Sequence, residues 1–401
     1  MGISEKKERK SMSLNPPGKG SDAGLRVLIA GGGTGGHLFP GIAIAETFVQ
    51  DARQTRVMFV SSGRAIEETV LANTPYEKKR IAVEGIKGKS LFSKLAALMR
   101  VPGGLIQAFH LLGEFAPHVV IGMGAYSAGP VVVAAWMRGI HRVICEQNSF
   151  PGLTSRLLAG FAERIYVSFP DSGFKEVYQS KIRFTGNPVR QAIAGAGTKK
   201  EGGEKAAGEA APAFTVLILG GSQGAHSINM AVLDCVMHLT HPEKFRFVHQ
   251  TGPRDMEEVR KIYLQMHIDA TVAAFFENMG ALYEAADLVI CRSGATTVAE
   301  LTVAGKAVIF IPFPQAADNH QVANAKALVA DGAAEMIEEA DLSGEMLSRR
   351  IVYYSENGDA RQAMEVKMRR FGHPDAARRI VDDIYGLLGI SNTRLKNTAG
   401  L

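Results

Sequence analysis

The chain has 401 residues, 46% hydrophobic and 21% charged, which is enough to bury one full core and, at roughly 100–200 residues per domain, two. Its 45 basic residues barely exceed its 40 acidic ones, so no nucleic-acid partner is expected from charge. Cys145, Cys235 and Cys291 are scattered through apolar runs without CxxC spacing, which argues against a disulfide framework or a zinc site and fits a reduced compartment.

Residues 1–24 carry both signs of charge and no apolar segment, so they read as a disordered tail and not as a secretory signal. Next comes "LRVLIA", a buried strand, and directly after it "GGGTGGHLFP" at 31–40. Glycines at a strand-to-helix turn let the backbone approach a ligand, and the first helical N–H groups then favour anions, phosphates above all. The same turn also serves simply to pack a helix on a strand. Gly31, Gly33 and Gly36 satisfy G-x-G-x-x-G, but in "VQDARQTRVMFVSSG" no acid follows the second strand; Asp51 precedes it, which weakens a dinucleotide reading.

From Ile86, "IKGKSLFSKLAALMR" puts Leu91, Phe92, Leu95, Leu98 and Met99 on one helical face flanked by Lys87, Lys89, Lys94 and Arg100. Such a stripe is ordinarily core, but its basic flank suits an anionic bilayer surface, and Trp136 is expected to join it. Val119–Met137 is uncharged and about the ~20 residues that span a bilayer. Gly122, Gly124, Gly129 and Pro130 instead divide it into strand, turn and helix. With "RVICE" and "RIYVS", the strands and intervening helices predict a parallel, doubly wound sheet.

After "TGNPVR" at 185–190, residues 195–213 are small, polar and charged, a linker. Beyond it "FTVLILGGSQGAH" lies over "LRVLIAGGGTGGH" without a gap, so that Gly31, Gly32, Gly35 and His37 face Gly220, Gly221, Gly224 and His226. The expected fold is therefore α/β, two Rossmann-like domains facing a cleft: 25–187, a hinge and linker at 188–213, and 214–370. In "CRSGATTVAELTVAG" a strand runs through a small-residue turn into a helix with Glu300 near its first turn. An amphipathic final segment, with apolar Ala377, Ile380, Val381, Ile384 and Leu388, makes 371–401 a helix docking back on the N-terminal domain, plus a tail.

Six motifs in order, "GGTGGH", "GMGAYSAGP", "EQNSFPG", "TGNPVR", "GGSQGA" and "CRSGATTVAEL", from about residue 25 to about 385, resemble the MurG family of N-acetylglucosaminyltransferases, which convert lipid I to lipid II in peptidoglycan synthesis. The resemblance implies a GT-B fold with UDP-GlcNAc on the C-terminal domain and the undecaprenyl-linked acceptor on the N-terminal one. It implies no cofactor and no metal, and a peripheral place on the cytoplasmic face of the bacterial membrane, among other cell-wall synthesis and division proteins. Glu300 would receive the ribose hydroxyls, with Ala295, Thr296, Thr297, Val298 and Ala299 beside it on the donor. Ser222, Gln223 and Arg190 would meet the diphosphate and sugar. Asn148, His320, Gln321 and Asn324 would meet the sugar, and Phe276 would lie by the uracil. Thr34, Gly35, Gly36 and Tyr126 would line the site. His37, an imidazole whose ordinary pKa of ~6.5 suits proton removal from the attacking hydroxyl, would be the general base, with Glu146 next in line. One departure stands out: Cys145 precedes "EQN" where the family commonly has His. Three alternatives remain: a related GT-B transferase for another lipid acceptor and, from other classes, a nicotinamide oxidoreductase and a membrane scaffold without turnover.

Overall fold

A computed structural model describes residues 24–82, 91–195, 213–221, 223–316 and 319–390, with the backbone alone for 91–101. The strands are β1 Arg26–Ala30, β2 Arg56–Ser61, β3 Glu77–Arg80, β4 Val119–Gly122, β5 His141–Glu146, β6 Arg164–Val167 and β7 Ile182–Phe184, then β8 Phe214–Leu219, β9 Phe245–Gln250, β10 Ala270–Ala273, β11 Leu288–Cys291, β12 Val308–Phe310 and β13 Glu335–Met336. They form two parallel sheets, ordered β3-β2-β1-β4-β5-β6-β7 and β10-β9-β8-β11-β12-β13. Both orders reverse beside the strand that carries a glycine turn, between β1 and β4 and between β8 and β11. Open α/β sheets leave a crevice for ligands at that reversal.

The helices are α1 Gly35–Asp51, α2 Ala65–Ala72, α3 Leu91–Phe115, α4 Ala125–Met137, α5 Leu153–Leu158 and α6 Gln191–Ala194, then α7 His226–Met237, α8 Met256–Gln265, α9 Met279–Ala285, α10 Ala295–Ala304, α11 His320–Ala330, α12 Gly344–Glu356, α13 Gly358–Arg369 and α14 Ala376–Leu387. The two Rossmann-like units predicted from the paired turns are present, and the inner strands are buried as β-branched runs. Sequence reading missed β3, because "EKKR" has no apolar residue: all four positions are exposed on the sheet edge, where charge discourages further strand pairing. It also missed β7, too short to show a period.

Val119–Met137 divides as expected into β4, a turn and α4, and no described helix is long and apolar enough to cross a membrane. The break is made by Gly122–Gly124 alone, since Gly129 and Pro130 lie inside α4. At the far end, α14 packs on α1: Ile380, Val381, Ile384, Tyr385 and Leu388 share a core with Val27, Ile29 and Phe48 of the first unit. Arg378 clamps Asp51 through two bonds of 2.5 and 2.7 Å, and Tyr166 donates to Asp383 at 2.7 Å. Asp51, off-register for a ribose, is thus the anchor of the C-terminal helix.

Candidate active site

The first glycine turn leaves the end of β1 with Gly31 at φ +149° and Gly33 at φ +84°, conformations that favour glycine. A Cβ on Gly31 would stand 2.7 Å from the Met123 Cβ, so the turn is also pressed against the neighbouring β4 loop. The Gly33 N–H donates to Glu67, a fully buried carboxylate that also accepts from Ser62 Oγ at 3.0 Å and from the Arg64 N–H at 2.9 Å. One amide expected to face a bound phosphate is therefore held from within by α2. Sequence reading overlooked Glu67: it is the third residue of α2, a capping-box position, but Arg64 stands where the recognisable Ser or Thr would be.

Past this clamp Thr34 is exposed at the start of α1, Gly35 is buried and Gly36 and His37 are half-buried. The His37 Nδ1 lies 2.9 Å from the Gln147 Oε1 at the end of β5. Tyr126 is half-buried in the first turn of α4.

The facing wall is α10, which starts after β11 at the second sheet's reversal. Thr296 donates its hydroxyl to the Gly36 carbonyl at 2.9 Å and receives the Asn187 amide at 3.4 Å. The N-termini of α1 and α10, one from each unit, thus meet at this point. Ala295, Thr296, Val298 and Glu300 are buried; Thr297 and Ala299 are half-buried. Glu300 is the sixth residue of α10, a turn further in than expected, so the helix dipole at its start does not account for it. Its carboxylate accepts from Arg190 at 3.1 Å and from the Tyr283 hydroxyl at 2.9 Å. Burial pushes its carboxyl above the usual carboxylate range, and Arg190 and Tyr283 pull it back. Arg190 also lies 4.1 Å over the Phe39 ring of α1, and its Nε is buried without a partner among the described residues.

The second glycine turn differs in what stands behind it. Gln223 is exposed, Ser222 lies outside the described residues, and a Cβ on Gly224 would reach within 2.1 Å of the Thr251 carbonyl. His226 Nδ1 pairs with Asp255 at 3.1 Å, and Asp255 accepts from Asn229 at 2.8 Å. Asn229 Oδ1 in turn meets His249 Nε2 at 3.0 Å, and His249 Nδ1 meets the Tyr263 hydroxyl at 3.1 Å. This is a structural network under the β8 turn. His37 and His226, equivalent by repeat, have a neutral amide and a carboxylate as partners.

Burial pushes the His249 imidazole down to about 3, against an opposing pull from Asp255. Between that value and the unfolded ~6.5, the unfolded chain binds the extra proton, so stability falls as pH drops through this window. Urea unfolding is expected to show about 2 kcal/mol lost to this group between pH 6.5 and 5. His249→Gln, which offers an amide to the same partners but does not titrate, should flatten that slope; an unchanged slope would assign the acid sensitivity elsewhere.

Other predicted contacts are already engaged. Asn324 is 1% exposed, accepting from the Ser149 N–H at 3.1 Å and donating to the Ser293 carbonyl at 3.2 Å, so it ties a loop of one unit to a loop of the other. Gln321 Oε1 accepts from the Phe313 N–H at 2.9 Å, and His320 begins α11. Asn148 donates to Glu146 at 3.2 Å; Glu146 also accepts the N–H groups of Asn148 and Gly152 at 3.0 and 3.1 Å. Glu146 is buried and holds its own loop, which suits it poorly to be an alternative base. The Phe276 N–H is donated to Gln250 Oε1 at 3.0 Å. Cys145 is buried, and burial pushes its thiol well up.

Lys87 and Lys89 lie outside the described residues; Leu91, Phe92, Lys94 and Leu95 are on α3, of which only the backbone is described there. Among the described residues no group of His, Cys, Asp and Glu side chains is placed to hold a metal.

The glycosyltransferase family 28 N-terminal domain matches residues 27–167 and the corresponding C-terminal domain residues 215–380. A UDP-N-acetylglucosamine–N-acetylmuramyl-(pentapeptide) pyrophosphoryl-undecaprenol N-acetylglucosamine transferase of Syntrophus aciditrophicus is 44% identical over 91% of this chain and 99% of its own. One of the same name from Myxococcus xanthus is 41% identical over 91% and 93%. Among solved structures, Acinetobacter baumannii MurG superposes with a TM-score of 0.68 at 29% identity, over 90% of this chain and 99% of its own.

Proposed function

The chain belongs to glycosyltransferase family 28 and is a MurG-type N-acetylglucosaminyltransferase, and from that premise we propose how its residues divide the work. The reaction moves GlcNAc from UDP-GlcNAc to the MurNAc 4-hydroxyl of lipid I. In an inverting transfer the hydroxyl oxygen forms a bond to the anomeric carbon as the bond to the UDP oxygen breaks. One base takes the hydroxyl proton, and no covalent enzyme intermediate forms. His37 is that base, on the acceptor side. On the donor side the first N–H groups of α10 and α7 face the leaving diphosphate, where helix N-termini favour anions. Glu300 receives the ribose hydroxyls, releasing Arg190 to neutralise the departing UDP.

The observation that carries this reading is the 2.9 Å bond from Thr296 to Gly36, which joins the helix before Glu300 to the turn that bears His37. Turnover of labelled UDP-GlcNAc with and without a lipid I analogue tests it. Disaccharide product only in the presence of acceptor is expected. Tight binding of NADH in place of UDP would overturn the assignment.

Access to a lipid acceptor requires a membrane-facing surface, and the enzyme works as a peripheral protein on the cytoplasmic face. Besides the basic stripe read in the sequence from Ile86, the described residues support this: Trp136 is 50% exposed with its ring edge-on to Phe161, and Leu153 and Leu157 of α5, which packs on α4, are 61% and 65% exposed. Leu153→Glu with Leu157→Glu is expected to weaken binding to anionic vesicles about tenfold or more while leaving stability within about 0.5 kcal/mol. Unchanged vesicle binding would exclude α5 from that surface.

A further inference from the structure

The His37 side chain meets the protein at a point the transfer reaction alone does not account for. Gln147 is 2% exposed, and its amide spans two partners: Oε1 lies 2.9 Å from His37 Nδ1, and Nε2 lies 3.4 Å from the Cys145 carbonyl. A backbone carbonyl only accepts, so the amide nitrogen belongs at the Cys145 end and the amide oxygen at the imidazole. That oxygen also only accepts. The His37 Nδ1 must then carry the proton, and in the neutral ring Nε2 is left with its lone pair. The ring rests against Gly124, at φ +84°, where a Cβ would come within 3.1 Å of His37 Cε1 and 3.2 Å of Nδ1. Amide and glycine together fix both the tautomer and the plane of the ring.

We propose that Gln147 is the positioning residue of the transfer reaction, holding His37 as the Nδ1–H tautomer so that Nε2 is the proton acceptor, with Gly124 supplying the space the ring needs. The inference rests on the reading of His37 as the base. Gln147 touches no substrate in this scheme; it acts through the imidazole, as a carboxylate does in a hydrolase triad, but without adding charge.

Ring-15N spectra of the unaltered enzyme at pH 8, above the ordinary imidazole range, are expected to put the His37 proton on Nδ1, the signal being assigned by its loss in His37→Ala. A proton on Nε2 overturns the proposal whether or not any variant folds. In turnover, Gln147→Met, which fills the space but offers no acceptor oxygen, should lower kcat about 10- to 100-fold with the KM for UDP-GlcNAc unchanged. Gln147→Glu, which keeps an acceptor, should recover most of that loss, and no recovery counts against the assignment. In the His37→Ala background Gln147→Met should cost nothing further. An equal cost in both backgrounds would show that Gln147 acts independently of His37 and overturn the inference alone. Full kcat in His37→Ala would instead remove the base itself.

Discussion

His37→Ala is expected to lower kcat by about 10²–10⁴-fold, the range carried by a general base, with little change in UDP affinity. That corresponds to about 3–5 kcal/mol of the barrier. The 4-hydroxyl of a sugar is a poor nucleophile until its proton has somewhere to go, so the loss should appear in kcat and not in donor binding. His226→Ala is the internal control. The repeat gives both histidines the same place after a strand and a glycine turn, but His226 is paired with Asp255, whose carboxylate is already held by Asn229. Removing His226 takes one bond from a network that retains its others, so activity should fall only slightly. Steady-state kinetics of the two variants side by side decide the matter: equal losses, or a His37→Ala enzyme that keeps most of its kcat, would place the base elsewhere. Glu146 is then a poor substitute, because three N–H groups of its own loop already occupy its oxygens.

The paired turns were legible because a glycine turn needs particular residues at fixed spacing, and the spacing recurs. Both sheets, their reversals beside β1 and β8, and the docking of α14 follow from apolar periodicity with those turns. What stayed hidden depends on contacts between distant segments. Glu67 reaches back 34 positions to the Gly33 N–H, and nothing in "RAIEET" distinguishes that carboxylate from Glu68 beside it. Gln147 lies inside a recognised motif, between the two residues that drew attention, yet its meaning comes from His37, 110 positions earlier. Asn324 reads as a ligand for sugar hydroxyls by its place near the start of a helix, and the fold uses both ends of its amide to join the two units. Edge strand β3 was hidden for the opposite reason: it has no buried face, and so no hydrophobic signal to read.

Glu300→Gln is expected to raise the KM for UDP-GlcNAc about 10- to 100-fold while leaving the KM for the acceptor unchanged, since a ribose contact is present in ground and transition states alike. Gln is the informative substitution. Glu300 is buried against Arg190 at 3.1 Å and Tyr283 at 2.9 Å, and Ala would leave both the guanidinium and the Tyr283 hydroxyl with no acceptor at all. Breaking a buried pair in this way costs about 3–5 kcal/mol of stability, enough to confuse lost binding with lost folding. Gln keeps the shape and an oxygen for the Tyr283 hydroxyl, but it offers one acceptor oxygen where the carboxylate offers two, and no charge. It therefore weakens recognition of two adjacent hydroxyls and loosens Arg190 together. The loosened Arg190 adds a second, separable signature. Its guanidinium lies over Phe39 of α1, so any change there is transmitted to the helix that carries His37, and it should appear in kcat. The donor KM with UDP-GlcNAc, compared with that for a 2′-deoxyribose analogue of the donor, separates the two. If Glu300 binds the ribose, the variant should discriminate much less between natural and deoxy donors than the unaltered enzyme does. Equal discrimination in both enzymes would leave Glu300 as the partner of Arg190 alone.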